Sequence, residues 1–152
     1  MIFICDVMLG KLARYLRMLG FDTSYIHHVK DIESLPAPSA GSLFLTKKKG
    51  DGSLREHTIV IQSNDPERQI LEIMGHIKKD IDPASFMTRC MKCNAILVDV
   101  AGEDIEQSIP EYIYHHHKVF SVCPSCKKVY WEGSHAEKMR EWLRKLIDLE
   151  NL

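Results

Sequence analysis

Four of the five cysteines stand in two short pairs, Cys90-Met91-Lys92-Cys93 and Cys123-Pro124-Ser125-Cys126. Two residues between thiols let both sulfurs of a tight turn face one point. Two such turns supply four soft thiolates, the set that a tetrahedral zinc ion takes. Four protein ligands close the coordination shell, so such an ion holds a fold together and does no chemistry. The segment Asn94–Val122 between the pairs is long enough for a hairpin. Rival uses fit less well. Disulfides suit an oxidising compartment, a redox dithiol uses one pair beside a βαβ unit, and an iron–sulfur cluster does not favour paired turns. Cys5 stands alone in an apolar run and reads as an inert core thiol. His115-His116-His117 reads as a solvated loop before a strand, with a secondary metal or phosphate contact as the lesser reading.

Two further sets of residues could meet a nucleic acid. Lys11, Arg14 and Arg17 recur along one helix face, and Lys47, Lys48 and Lys49 sit in a glycine-bearing turn. Both could contact phosphates, and both also read as a solvated face and a charged turn. Residues 1–50 carry seven Lys or Arg against four Asp or Glu, so the N-terminal third is locally basic. An acidic run (Asp99, Glu103, Asp104, Glu106, Glu111) comes later. Asp6 follows the first apolar run directly, and a lone acid there reads first as a cap for the helix beginning near Val7.

The elements that must hold these side chains are legible from periodicity. Residues 1–5 form a continuous apolar run, the pattern of a strand buried on both faces of a parallel sheet. Leu9, Leu12, Ala13, Leu16 and Leu19 have helical spacing, and Gly20 stands where a helix ends. Strands are expected at 21–26, 43–46 and 58–62, with a helix break at 36–42. Asp65 and Pro66 predict an N-cap and first helical position, followed by the apolar face Ile70, Leu71, Ile73, Met74 and Ile77. Asp82-Pro83 marks a module boundary. Beyond it, 96–100, 118–122 and 129–131 read as short strands. The closing helix is expected to be capped by Ser134, with Glu137 completing a capping box. Its stripe Met139, Trp142, Leu143, Leu146 and Ile147 should pack on the body of the protein.

The 152 residues are 45% hydrophobic and 27% charged, ordinary for a globular chain and wrong for a disordered or collagenous one. No apolar run is long enough to span a membrane. The N-terminus lacks a basic and long apolar leader, so a cytoplasmic location is expected.

Residues 2–23 (IFICDVMLGKLARYLRMLGFDT) resemble the opening signature of the Mut-seven C-terminal RNase-like family, a PIN-like domain followed by a zinc ribbon. Thr88–Asn94 and Cys123–His135 resemble its ribbon. The resemblance covers nearly the whole chain, and the middle, about residues 27–57, carries little of it. It implies an α/β fold: a PIN-like, mostly parallel sheet with flanking helices over 1–83, then a zinc ribbon and closing helix over 84–152. It also implies nuclease descent, with acids at strand ends holding Mg²⁺ or Mn²⁺. Asp6 matches the first acid, and Asp31 is the candidate for the second. The family follows its third strand with Thr-Arg-Asp, whereas this chain has Thr46-Lys47-Lys48. An ammonium cannot ligate Mg²⁺. Asp51 could substitute only if the loop were displaced. The expected function is therefore RNA binding with weak or lost cleavage, Lys11, Arg14, Arg17, Lys47 and Lys48 being the phosphate contacts. Two alternatives stand beside it: an active ribonuclease with a rearranged acidic site, and a zinc-ribbon adaptor for a protein partner.

Overall fold

An apolar strand that must be covered on both faces belongs in the middle of a sheet. The computed structural model, which describes residues 1–27, 41–48 and 57–148, has it there. Strand β1 (Ile2–Cys5) pairs in parallel with β2 (Asp22–Tyr25) on one side and β3 (Ser42–Thr46) on the other. Strand β4 (Thr58–Val60) pairs in parallel with β3, giving the order β2-β1-β3-β4. Phe3 and Cys5 are fully buried, and Phe3 meets Phe21 edge-on at 5.3 Å. Burial pushes the Cys5 thiol far above its ordinary pKa, as the inert-thiol reading requires.

Helix α1 (Gly10–Met18) buries Leu12, Ala13 and Leu16 on the sheet. Gly20 ends it with φ +93°, and a Cβ there would lie 2.6 Å from the Ser85 carbonyl oxygen. Only glycine meets both demands. Helix α2 (Pro66–Ile77) begins as expected, with the Asp65 carboxylate accepting the Glu67 N–H at 3.0 Å. Its Ile70, Ile73, Met74 and Ile77 are fully buried.

The second half carries an antiparallel sheet, β5 (Val98–Val100), β6 (Phe120–Val122) and β7 (Val129–Trp131), in sequence order. Two short helices, α3 (Gly102–Ile105) and α4 (Glu111–His116), fill the connection before β6. The histidine run departs from the loop expected. His115 and His116 end α4, where His116 stacks on Tyr112 at 3.9 Å and His115 pairs with Glu111 one turn back.

Helix α5 (Ser134–Asp148) closes the chain. The Glu137 N–H bonds the Gly133 carbonyl at 3.0 Å, so Ser134 is the first helical residue and not the cap before it. The apolar stripe goes where periodicity sends it. Leu143 and Leu146 are buried in one core with Phe3, Leu12 and Ile73, and Trp142 lies 4.8 Å from Tyr15. The last helix thus closes the core of the first sheet. Residues 36–40 of the expected helix break at 36–42, and Asp31, Lys49 and Asp51, lie outside the described residues.

Leu143 has no exposure, so truncation leaves a cavity in that shared core. Leu143→Ala should lower unfolding free energy by about 3 kcal/mol. Urea denaturation followed by tryptophan fluorescence checks this.

Candidate nucleic-acid interface and metal centre

The two cysteine turns are built alike. In each, the second cysteine's N–H points at the first cysteine's sulfur, Cys93 to Cys90 and Cys126 to Cys123, both at 3.4 Å. In each, the next residue turns left-handed, Asn94 at φ +67° and Lys127 at φ +62°. Its N–H closes the turn on the first cysteine's carbonyl. Asparagine tolerates that conformation, whereas lysine there costs about 1 kcal/mol. The four sulfurs lie within 4.8 Å of one another, and Cys90 Sγ and Cys126 Sγ are 3.7 Å apart. A tetrahedral thiolate site with bonds near about 2.3 Å needs sulfurs about 3.8 Å apart, so the donor set fits a metal ion. The Tyr130 hydroxyl accepts the Met91 N–H at 3.3 Å and lies within hydrogen-bond distance of Cys90 Sγ, at 3.2 Å. Burial works to raise the Cys90 pKa. The bonds from Tyr130, the Cys93 and Lys92 amides and Cys123 outweigh it and bring the thiol down to about 6. Burial and the neighbouring Cys90 sulfur hold the Tyr130 hydroxyl protonated, well above its ordinary range.

The first turn docks on the edge strand β2 through polar side chains. Arg17 is only 8% exposed. Its Nε bonds the Thr23 carbonyl at 3.0 Å, and one terminal nitrogen reaches the carbonyls of Met91 (2.8 Å) and Lys92 (3.2 Å). Burial holds this guanidinium below its usual pKa. The Asn94 side chain completes the junction, accepting the Thr23 N–H at 2.9 Å and donating to Asp22 at 2.7 Å. Arg89 bonds the carbonyls of Gly20 and Asn94. The outward N–H and C=O of Thr23 on this edge strand are thereby satisfied. The expectation of a solvated Arg17 is corrected: the helix face that exposes Lys11 and Arg14 turns it under the metal turn.

Asp6 follows β1 at the sheet's C-terminal edge, beside the point where strand order reverses between β1 and β3. Such a crevice is where open α/β sheets take ligands. Here the carboxylate is 3% exposed and occupied. One oxygen accepts the Met8 N–H at 2.8 Å, and the other accepts the Thr46 hydroxyl at 2.6 Å and the Lys47 N–H at 3.0 Å. It ties two strand ends together. It does not cap α1, whose N-cap Leu9 has no side-chain bond. The Lys47 ammonium bonds the carbonyls of Gln62 and Ser63, both at 2.8 Å, and Lys48 is exposed. Among the described residues, the four cysteines are the one group of three or more His, Cys, Asp or Glu placed to hold a metal.

A cleft of about 880 Å³ opens between the parallel sheet and the metal turns. Of the five residues read as phosphate contacts, Lys11, Arg14 and Arg17 line it, and Lys47 and Lys48 are not among its described lining. Lys92, Lys128 and His27 line it too, and sequence reasoning missed them. The available signal was position: Lys92 lies inside the first cysteine pair, and Lys128 two residues after the second. None of the described lining residues is acidic.

Replacing Arg17 strands three carbonyls. Arg17→Leu should cost about 3 kcal/mol. Arg17→Lys should recover only part, because a single ammonium cannot span the same fork of acceptors. Equilibrium denaturation of the three proteins decides this.

Among curated proteins and among solved structures, no similar chain was found. The family model described as "Mut7-C RNAse domain" matches residues 1–143. With that match spanning both the parallel sheet and the cysteine turns, the chain belongs to the Mut7-C RNAse domain family.

Proposed function

We propose that this chain is a zinc-ribbon protein of ribonuclease descent that binds RNA and in which metal-dependent cleavage is weak or lost. The observation that carries the reading is the state of Asp6. Its carboxylate is buried and holds three protein donors, from Met8, Thr46 and Lys47. Mg²⁺ demands near-octahedral oxygen ligands and gives up its water reluctantly. To ligate it, Asp6 would have to surrender bonds that join two strand ends. Beside it, Lys48 stands where the family carries an aspartate, and its N–H bonds the Thr46 hydroxyl at 3.1 Å. A cation there opposes a second cation. The basic cleft supports retention of RNA affinity. Exposed Lys11 and Arg14 offer charges that draw a polyanion without cutting it.

The metal in the cysteine site is, on this reading, zinc. Thiolates are soft donors, and a closed four-cysteine set suits a structural ion in a reducing cytoplasm. The ion would supply cohesion to a module whose strands have three residues each. Elemental analysis should find one zinc per chain. Cys123→Ser should lose the ion and unfold the antiparallel sheet, read by near-ultraviolet circular dichroism. A metal-free protein with an intact fold would contradict this.

Cleavage is tested with 5′-labelled single-stranded RNA and Mn²⁺. The wild type should bind with little or no turnover. Lys48→Asp should raise Mn²⁺ affinity tenfold or more, measured by calorimetry. Robust cleavage by the wild type, abolished in a folded Asp6→Asn variant, would overturn the reading in favour of an active enzyme with rearranged acids.

A further inference from the structure

The start of α2 lines the basic cleft with Asn64, Pro66 and Gln69, and its cations stand on two further walls of different origin. One is helix α1, with Lys11 and Arg14 exposed. The other is made by the cysteine turns, which contribute Met91 and Lys92 from the first and Lys128 from just beyond the second. Lys92 and Lys128 are both exposed. Neither ammonium is needed for the metal site, whose ligands are sulfurs. The Lys128 ammonium lies 5.3 Å from the centre of the Tyr130 ring, the same ring whose hydroxyl meets Cys90 Sγ. Lys92 rides on a turn whose carbonyl is fixed by Arg17. The metal turns thus add two cations to the cleft beside the two on helix α1. Tyr25 and His27, also in the lining, pack edge to face at 4.8 Å, and the Tyr25 hydroxyl is anchored on the Val7 carbonyl at 2.7 Å.

We infer that the cysteine module is an RNA-contacting wall as well as a structural clip: single-stranded RNA runs along the cleft with its phosphates held by Lys92 and Lys128 on one side and Lys11 and Arg14 on the other. This rests on the RNA-binding reading above and adds the strand class and the second wall. Four cations from two modules, with no described acid among the lining residues, suit a polyanionic backbone. Tyr25 and His27 offer ring faces on which unpaired bases can stack. The volume, about 880 Å³, is that of a pocket for a few nucleotides. A duplex shields its bases and presents only phosphates and a shallow groove, so it would leave the rings of Tyr25 and His27 unused. Arg17 is then a positioning residue, since it fixes the turn that carries Lys92.

The test uses the full chain in its metal-loaded form, a fluorescein-labelled oligouridine and a labelled RNA hairpin duplex, with anisotropy read over a salt series. Lys92→Ala/Lys128→Ala should weaken oligouridine binding at least tenfold at low salt. It should also reduce the slope of log affinity against log salt by about 1.4, the loss of two single-strand phosphate contacts. Lys92→Arg/Lys128→Arg should bind as the wild type does. Unchanged metal content shows that both variants keep the module folded. If the alanine pair binds as the wild type does while Lys11→Ala/Arg14→Ala is weakened, the second wall is refuted and the RNA-binding reading stands. Tighter binding of the duplex than of the single strand refutes the strand class. No binding of either RNA by the wild type, even at low salt, overturns the RNA-binding reading itself.

Discussion

The buried guanidinium of Arg17 is the constraint around which both halves of the molecule are arranged. A charge with 8% exposure is costly unless its buried donors find acceptors. Arg17 finds its acceptors in two places, the Thr23 carbonyl of its own sheet and the Met91 and Lys92 carbonyls of the metal turn. Those carbonyls point correctly only if the turn has its knuckle shape, and that shape closes on four sulfurs. Metal site, edge strand and first helix therefore depend on one another. Asn94 reinforces the arrangement. It takes the left-handed position that shapes the turn, and its side chain bonds Thr23 and Asp22 on the sheet edge.

The consequence for function is a cleft whose walls cannot drift apart without breaking that junction. The C-terminal helix adds a second tie, because Leu143 and Leu146 sit in the core that the sheet and α1 share. At the sheet's C-terminal edge, the Asp6 carboxylate and the Lys47 ammonium are both engaged with backbone and hydroxyl groups of neighbouring strand ends. Groups that a metal-dependent nuclease keeps open for ions are used here as fasteners. On the proposed reading, a basic cleft beside a carboxylate so engaged would hold a phosphate backbone and be poorly equipped to activate water on it.

Much of this was legible in the chain, and what was hidden shares one cause. The apolar run at residues 1–5, the Asp65-Pro66 start and the cysteine spacing each encode a local rule, and each yields the element it predicts. Arg17 obeys the same helical spacing as Lys11 and Arg14, yet nothing local says that carbonyls 74 and 75 residues later will cover it. Lys92 and Lys128 carry no such local rule, because their place in the cleft depends on how the cysteine turns dock against α1. His115 and His116 end a helix, with contacts one turn back to Glu111 and Tyr112, while His117 is already extended, a boundary that composition does not reveal. Ser134 lies one residue inside its helix, a boundary shift that capping patterns do not fix.

The central claim is that RNA lies in the cleft between the sheet and the metal turns. Photo-cross-linking with a 4-thiouridine oligonucleotide, followed by mass spectrometry of the adducts, reads the path of the strand directly. Adducts should fall on residues 8–14, on Tyr25 or His27, and on Met91 or Lys92, with the oligonucleotide recovered uncut in the presence of Mn²⁺. Adducts confined to other surfaces, such as α4 or the outer face of the antiparallel sheet, would contradict the account.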